Sequence, residues 1–233
     1  TAAWPSCCRR STPRSSTTGR GPSADEGFFL GLLFVAIAEH GLVPTNQVAR
    51  MTLAADPAFL QGAVAAGILG CGSVVLGTAG LCGDFLVDAR RRIDAGGDAA
   101  STIVTMLTDL RAAGGKAPGF GHPVHKPVDP RAERILALAD ARGVSGRHVA
   151  LARAMAAPVA EIWGRPLPMN VSMPIAAVLL DLDFPASVIK AIPILARTAS
   201  LLAHLAEEKE RPIGFLMAGA AGDAIAYEPG GSS

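Results

Sequence analysis

An all-α fold is what this sequence predicts, on three observations. Half of its 233 residues are hydrophobic yet only 5% are aromatic, with Ala, Leu and Gly abundant, a balance that suits closely packed helices better than a β-sandwich. Apolar residues recur at helical spacing, and none of the apolar runs alternates convincingly at period two. The runs are punctuated as helices are, by Ser or Asp at their starts and Gly at their ends.

Taken in order, the first helix opens at Ser23-Ala-Asp-Glu26, a capping box, and its apolar run Phe28 to Ala38 stops at Glu39-His40-Gly41. A second helix is predicted at about 46–53. Asp56-Pro57 is expected to open a third, which dissolves into glycines. Further helices are expected at 84–95 and 99–113, each closed by a Gly-Gly pair, then at 130–142, 146–163 and 174–182. A last long helix is expected near 185–208, kinked at Pro193. No internal repeat stands out.

The chain is long enough for one or two compact domains with a sizeable core. A net charge of +1 argues against a nucleic-acid binder that relies on a basic surface. Residues 1–22, rich in Ser, Thr, Arg and Gly, are expected to form a disordered or irregular tail, with its arginines solvated and no signal peptide. Cys7, Cys8, Cys71 and Cys82 form no Cys-x-x-Cys pair, so free thiols in a cytoplasmic protein without a metal are expected. The uncharged stretch from Pro57 to Gly83 is long enough to span a bilayer, but its glycines and lack of flanking anchors read better as a buried helix and loop.

The most informative segment is 117–134, Ala-Pro-Gly-Phe-Gly-His-Pro-Val-His-Lys-Pro-Val-Asp-Pro-Arg-Ala-Glu-Arg. A Gly/Pro-stiffened loop presents His122 and His125, then a helix starts with Asp129 as cap, Pro130 in its first position and Arg131 on its first turn. An imidazole and a guanidinium held this close make a receptor for a small polycarboxylate, because Arg grips carboxylate with a two-pronged fork. The segment resembles the Gly-Phe-Gly-His…Asp-Pro-Arg-Ala signature of the citrate synthase superfamily. Ala38-Glu39-His40-Gly41 is similar to that family's Asp-His-Glu element, Ile194 to His204 to its Ala-Arg-Thr-…-Ala-His helix, and Glu210-Arg211-Pro212 to its terminal Arg-Pro. These matches occur in family order from about residue 28 to 216.

The resemblance implies a divergent, shortened citrate synthase-like or citryl-CoA lyase-like protein. It would be a homodimer of two-domain helical subunits, with no membrane or nucleic-acid partner. The large domain would comprise 23–92 and 197–233, truncated at the N-terminus, and the small domain 93–196. Its co-substrates would be a carboxylate such as oxaloacetate or citrate and a coenzyme A thioester, with no covalently bound cofactor. By this mapping His40, His122, Arg131 and Arg197 would bind the carboxylate, with His122 also catalytic. Arg211 would reach a site too, which in the family lies in the neighbouring subunit. Pro118, Gly119, Phe120 and Gly121 would lie near the coenzyme.

Two family groups are missing. The histidine of a Pro-Leu-His-Gly-Gly element, which holds the thioester carbonyl as it enolises, maps to Leu76, and no histidine occurs between His40 and His122. The aspartate base of a Pro-Asn-Val-Asp-like element maps to Ser172, and no aspartate occurs between Asp140 and Asp181. Other side chains read as structural: His40 alone would be a helix cap, His204 a packed core histidine and His148 a surface residue. Arg90, Arg91 and Arg92 read as a charged helix face, while His125 and Lys126 face either solvent or coenzyme. Ser172 has no base near it in sequence to make it a nucleophile. A paralogue that binds carboxylate or acyl-CoA without much catalysis is the competing expectation.

Overall fold

The computed structural model describes residues 21–72 and 75–226, so the expected tail and Cys7 and Cys8 fall almost wholly or wholly outside the described residues. Among the described residues there are twelve helices, and the one β-type contact is an isolated antiparallel bridge between Phe120 and Met169. The all-α expectation holds.

Helix α1 (Ala24–Ala38) has the capping box the sequence announces: the Ser23 hydroxyl accepts from the Glu26 amide, and Glu26 reaches back to the Ser23 amide. Helix α2 (Pro44–Ala55) starts on a proline, where a missing N–H costs nothing. Helix α3 (Leu60–Leu69) begins later than the expected Asp56-Pro57 start, because the Asp56 carboxylate is spent on the Ala58 amide in a turn. The uncharged stretch 57–83 is therefore not one helix.

Helix α4 (Thr78–Asp94) starts six residues before the expected 84. Its glycines act as contact points rather than breakers: a Cβ at Gly83 would sit 2.7 Å from Ile189 Cδ1, and one at Gly80 3.3 Å from Lys190 Cβ. Its arginines pair with Asp88 and Asp94 along the exposed face, as expected of a charged helix surface. Helices α5 (Ala99–Ala112) and α6 (Pro130–Ala141) match expectation, capped by Asp98 and Asp129.

The expected 146–163 helix is two, α7 (Arg147–Ala154) and α8 (Ala156–Trp163), because Pro158 has no N–H for the Ala154 carbonyl. For the same reason Pro193 divides the last long helix into α10 (Ala186–Ile189) and α11 (Ala191–Glu210). Helix α12 (Gly214–Ala224) was not expected, since its Gly/Ala-rich run has no local cap. Its cap comes from α11, where the Glu208 carboxylate accepts from the Ile213 and Gly214 amides at 2.9 and 2.7 Å.

Helix α9 (Ser172–Asp181) is the centre of the molecule: Met173 through Leu180 are all buried, and α4, α6, α7 and α10 pack around it. A helix apolar on every side has to be enclosed in this way. A smaller core of Ala49, Leu53, Ala63, Leu201 and Leu205 joins α2, α3 and α11. The α10–α11 span is long and apolar enough by composition to cross a membrane, yet it buries Arg197, His204 and Glu208 among protein contacts. Cys82 is a buried free thiol whose pKa is pushed up by burial, and Cys71 is a half-buried free thiol.

His148 is not the surface residue expected. It is largely enclosed, with Nδ1 2.9 Å from Asp181, whose carboxylate also accepts from the Gly146, His148 and Val149 amides. These bonds hold the Asp181 carboxyl below its ordinary value against the opposing effect of burial. Asp181→Ala is expected to cost about 1–3 kcal/mol in urea unfolding near neutral pH. A lowered folded-state pKa means that this contribution is full above the ordinary carboxylate value. It disappears as pH falls through the lowered one, so variant and parent should converge in strong acid.

Candidate functional site

The signature loop is strapped to the segment before α9. The Gly121 amide donates to the Pro168 carbonyl at 2.7 Å, the Asn170 amide to Gly119 at 2.8 Å, and Asn170 Nδ2 to the Gly121 carbonyl at 2.9 Å. Gly119 has φ +73, and a Cβ there would lie 2.6 Å from Met173 Cβ and 2.9 Å from Cys82 Sγ, so only glycine fits. Gly119 and Phe120 are thus buried in the core, Pro118 is half-buried, and of 118–121 only Gly121 lines the cavity.

That cavity, about 290 Å³, is the size of a site for a small organic acid. His40, His122, Arg131 and Arg197 line it together, with Leu76 and Ser172 also on its wall. Arg211 is exposed at the end of α11 and is not on the wall.

Each basic group is held differently. His122 Nδ1 accepts from the Val124 and His125 amides at 3.1 and 2.9 Å, which places the ring proton on Nε2. Burial, then the neighbouring His125 and Arg131 charges, pull its pKa down, so it is neutral at physiological pH. Arg131 is gripped by its own cap: Nε and Nη2 donate to the two Asp129 oxygens at 3.0 and 2.8 Å. Asp129 is fully buried and also accepts from Val171, which anchors the cap to α9. Arg131 Nη2 stands 3.3 Å from His122 Nε2. With the proton on Nε2 both atoms are donors, and an acceptor shared between them would satisfy both.

His40 follows α1 with its Nδ1 buried and unpartnered. Burial lowers its pKa, and the Arg197 and Arg131 charges lower it further. Arg197, on α11, is 1% exposed, yet it pairs with no carboxylate among the described residues. Its Nη1 donates to Asn46 Oδ1 at 3.1 Å, while its Nε has no partner. A buried cation with an idle donor on a cavity wall is a seat for an anion.

A polar network supports this wall. Arg50, 2% exposed, donates from Nη1 to Glu208 at 3.0 Å, pairs with Glu207, and donates from Nε to His204 Nδ1 at 3.1 Å. His204 is therefore the packed core histidine expected, with Nε2 3.0 Å from Glu39. Donor atoms of His122, His125 and Asp129 lie within 4.8 Å of one another. There the Asp129 carboxylate already accepts from Arg131, and His122 Nδ1 from two backbone amides. Asn46 and Asn170 escaped the sequence reading, since their roles depend on partners far along the chain.

Fold and cavity together define an all-helical protein with a basic cleft built on a Gly-Phe-Gly-His loop. Residues 14–214 match the family model for the citrate synthase C-terminal domain, and the chain belongs to the citrate synthase family. It is 31% identical over 180 residues to "Putative citrate synthase 2" of Mycobacterium tuberculosis, covering 76% of this chain and 46% of that protein. The chain thus spans about half the length of the curated relatives it matches. Its fold is similar to citryl-CoA lyase from Hydrogenobacter thermophilus, with TM-score 0.74 and 23% identity over 92% of this chain and 81% of that one. It is also similar to citrate synthase from Thermoplasma acidophilum, solved with carboxymethyl coenzyme A and oxaloacetate. There the TM-score is 0.68 and the identity 19%, over 83% of this chain and 51% of that one.

An unpaired buried cation is a stability liability in the empty protein. Arg197→Met, similar in length and apolar, is expected to leave the ligand-free thermal midpoint unchanged or raised. A fall of more than about 2–4 °C, roughly 1 kcal/mol or more for a chain of this size, would mean that Arg197 serves mainly to hold the fold.

Proposed function

We propose that this cleft binds a di- or tricarboxylate of the oxaloacetate or citrate type beside an acyl-CoA thioester. The chemistry it serves is carbon–carbon bond chemistry of citrate synthase or citryl-CoA lyase type, at a low rate. The observation that carries the reading is Arg197, a buried guanidinium on the cavity wall with no carboxylate partner among the described residues. A substrate carboxylate would pair with it. His122, with its proton on Nε2, would donate to a substrate oxygen shared with Arg131, where negative charge builds as the bond forms or breaks.

The slow rate follows from two other positions on the cavity wall, Leu76 and Ser172. Condensation needs a base to take a proton from the acyl methyl group and a donor to hold the enolate oxygen, each typically contributing 10²-fold or more. Leu76 has no donor, and the Ser172 hydroxyl is far from ionised at neutral pH. Citryl-CoA cleavage passes back through the same enol and meets the same handicap. These two positions favour, as the second reading, a paralogue that binds carboxylate or acyl-CoA and hardly turns over.

Two measurements test this. Calorimetry should detect citrate binding that weakens with salt and is lost in Arg197→Met; equal affinity in that variant would remove the site. Release of CoA from acetyl-CoA and oxaloacetate should fall well below the usual range of roughly 1–10³ per second. It should be partly rescued by Leu76→His combined with Ser172→Asp. A parent rate inside that range would mean that other groups do this chemistry.

We further propose a homodimer. Val35 of α1, Leu69 of α3, Leu202 of α11 and Phe215 and Leu216 of α12 are exposed apolar side chains on helices that another copy would cover. Light scattering at micromolar concentration should return twice the chain mass; a monomer would refute the assembly.

A further inference from the structure

We propose that Asn46 is a positioning residue of the carboxylate site: its neutral amide holds Arg197 and the turn after His40 in one register, while leaving the Arg197 charge for the ligand. The inference rests on the carboxylate reading above and deepens it.

Asn46 is completely buried in the first turn of α2. Its Oδ1 accepts from Arg197 Nη1 at 3.1 Å and from the Thr45 hydroxyl at 3.4 Å, and its Nδ2 donates to the Gly41 carbonyl at 2.6 Å. The amide oxygen faces two donors, while the nitrogen lies against the Gly41 carbonyl and also stands 2.8 Å from His204 Nε2. His204 closes the arrangement. Arg50 donates to its Nδ1, so the ring proton sits on Nε2 and points to Glu39, whose charge reaches Arg197 without forming an ion pair with it.

One side chain therefore connects three elements of the cavity: the turn that follows α1, the start of α2 and the buried face of α11. It does so without being an acid. A carboxylate in this position would have the same shape and would pair directly with Arg197, satisfying the cation before any ligand arrived. The neutral amide fixes the guanidinium in place and leaves it unpaired, with only the more distant Glu39 charge acting on it.

This makes an unusual ordering of variants. If Asn46 only fills space and satisfies hydrogen bonds, Asn46→Asp, the closest match in shape, is the mild change and Asn46→Ser the severe one. If its neutrality matters, the order reverses. With citrate as the probe in calorimetry, Asn46→Ser is expected to lose about tenfold in affinity, the effect of one bond to a charged group. Asn46→Asp is expected to lose about a hundredfold or more, because an internal carboxylate now competes for Arg197. Its deficit relative to the parent at the same pH should narrow as the pH is lowered and the introduced carboxyl takes up a proton. Circular dichroism of each variant checks the fold.

The inference is overturned if Asn46→Asp stays folded and binds within about twofold of the parent, or binds better than Asn46→Ser. Should Asn46→Asp not fold, Asn46→Ser decides alone, and unchanged affinity in that variant refutes the inference. A parent protein that takes up no citrate refutes the carboxylate reading itself and this inference with it.

Discussion

A guanidinium enclosed by protein with no carboxylate paired to it is the constraint around which this molecule is arranged. Removing Arg197 from water is costly, and the hydrogen bond it donates to Asn46 offsets only part of the cost. Such a group persists only where its surroundings hold it firmly. The core of α2, α3 and α11 fixes its helix, and the Arg50–Glu208–His204 network locks α2 to α11 in the turns that follow it. The opposite wall follows a different logic. Arg131 is compensated by Asp129, so that side supplies directed donors more than net charge. The cavity thus has one unpaired cation, one neutralised one, and two imidazoles whose pKa burial and positive neighbours lower.

The helical fold was legible in the sequence wherever the instructions were local. The capping box at Ser23, the Asp129-Pro130 pair at the start of α6 and the glycines after α1, α4 and α5 act within a few residues of the ends they define. It was illegible where the instruction came from elsewhere. The glycines of α4 read as breakers but mark the approach of α10, and α12 is capped by a carboxylate on another helix. Prolines worked both ways: Pro193 was foreseen as a kink and became a break, and Pro158 divided a helix expected to run on.

The site was legible for a similar reason. His122 and Arg131 lie nine residues apart on one loop and helix start, so their meeting is a local matter. Their assembly with His40 and Arg197 came from resemblance to a family, and the structure brings all four to one cavity. The side chains that hold them did not show. Asn46 meets Arg197 across 151 residues, and Asn170 meets Gly121 across 49, and an asparagine in a sequence carries no mark of such a partner. Even the tautomer of His122 is decided by backbone amides beside it, a detail no residue pattern encodes.

The two cores are unequal, and this has a dynamic consequence. Around α9 the apolar interior is broad and continuous, whereas α2 and α3 are joined to α11 through five buried apolar residues. Local opening costs least where the fewest such contacts are lost. Amide hydrogens of α2 and α3 should therefore exchange with solvent sooner than those of α9, and the breathing of this layer carries Asn46 away from Arg197. An anion seated on Arg197 would tie the layer down. Occupancy of the cavity would then be readable at a distance, as slower exchange along two helices of which only the turn before α2 lines it.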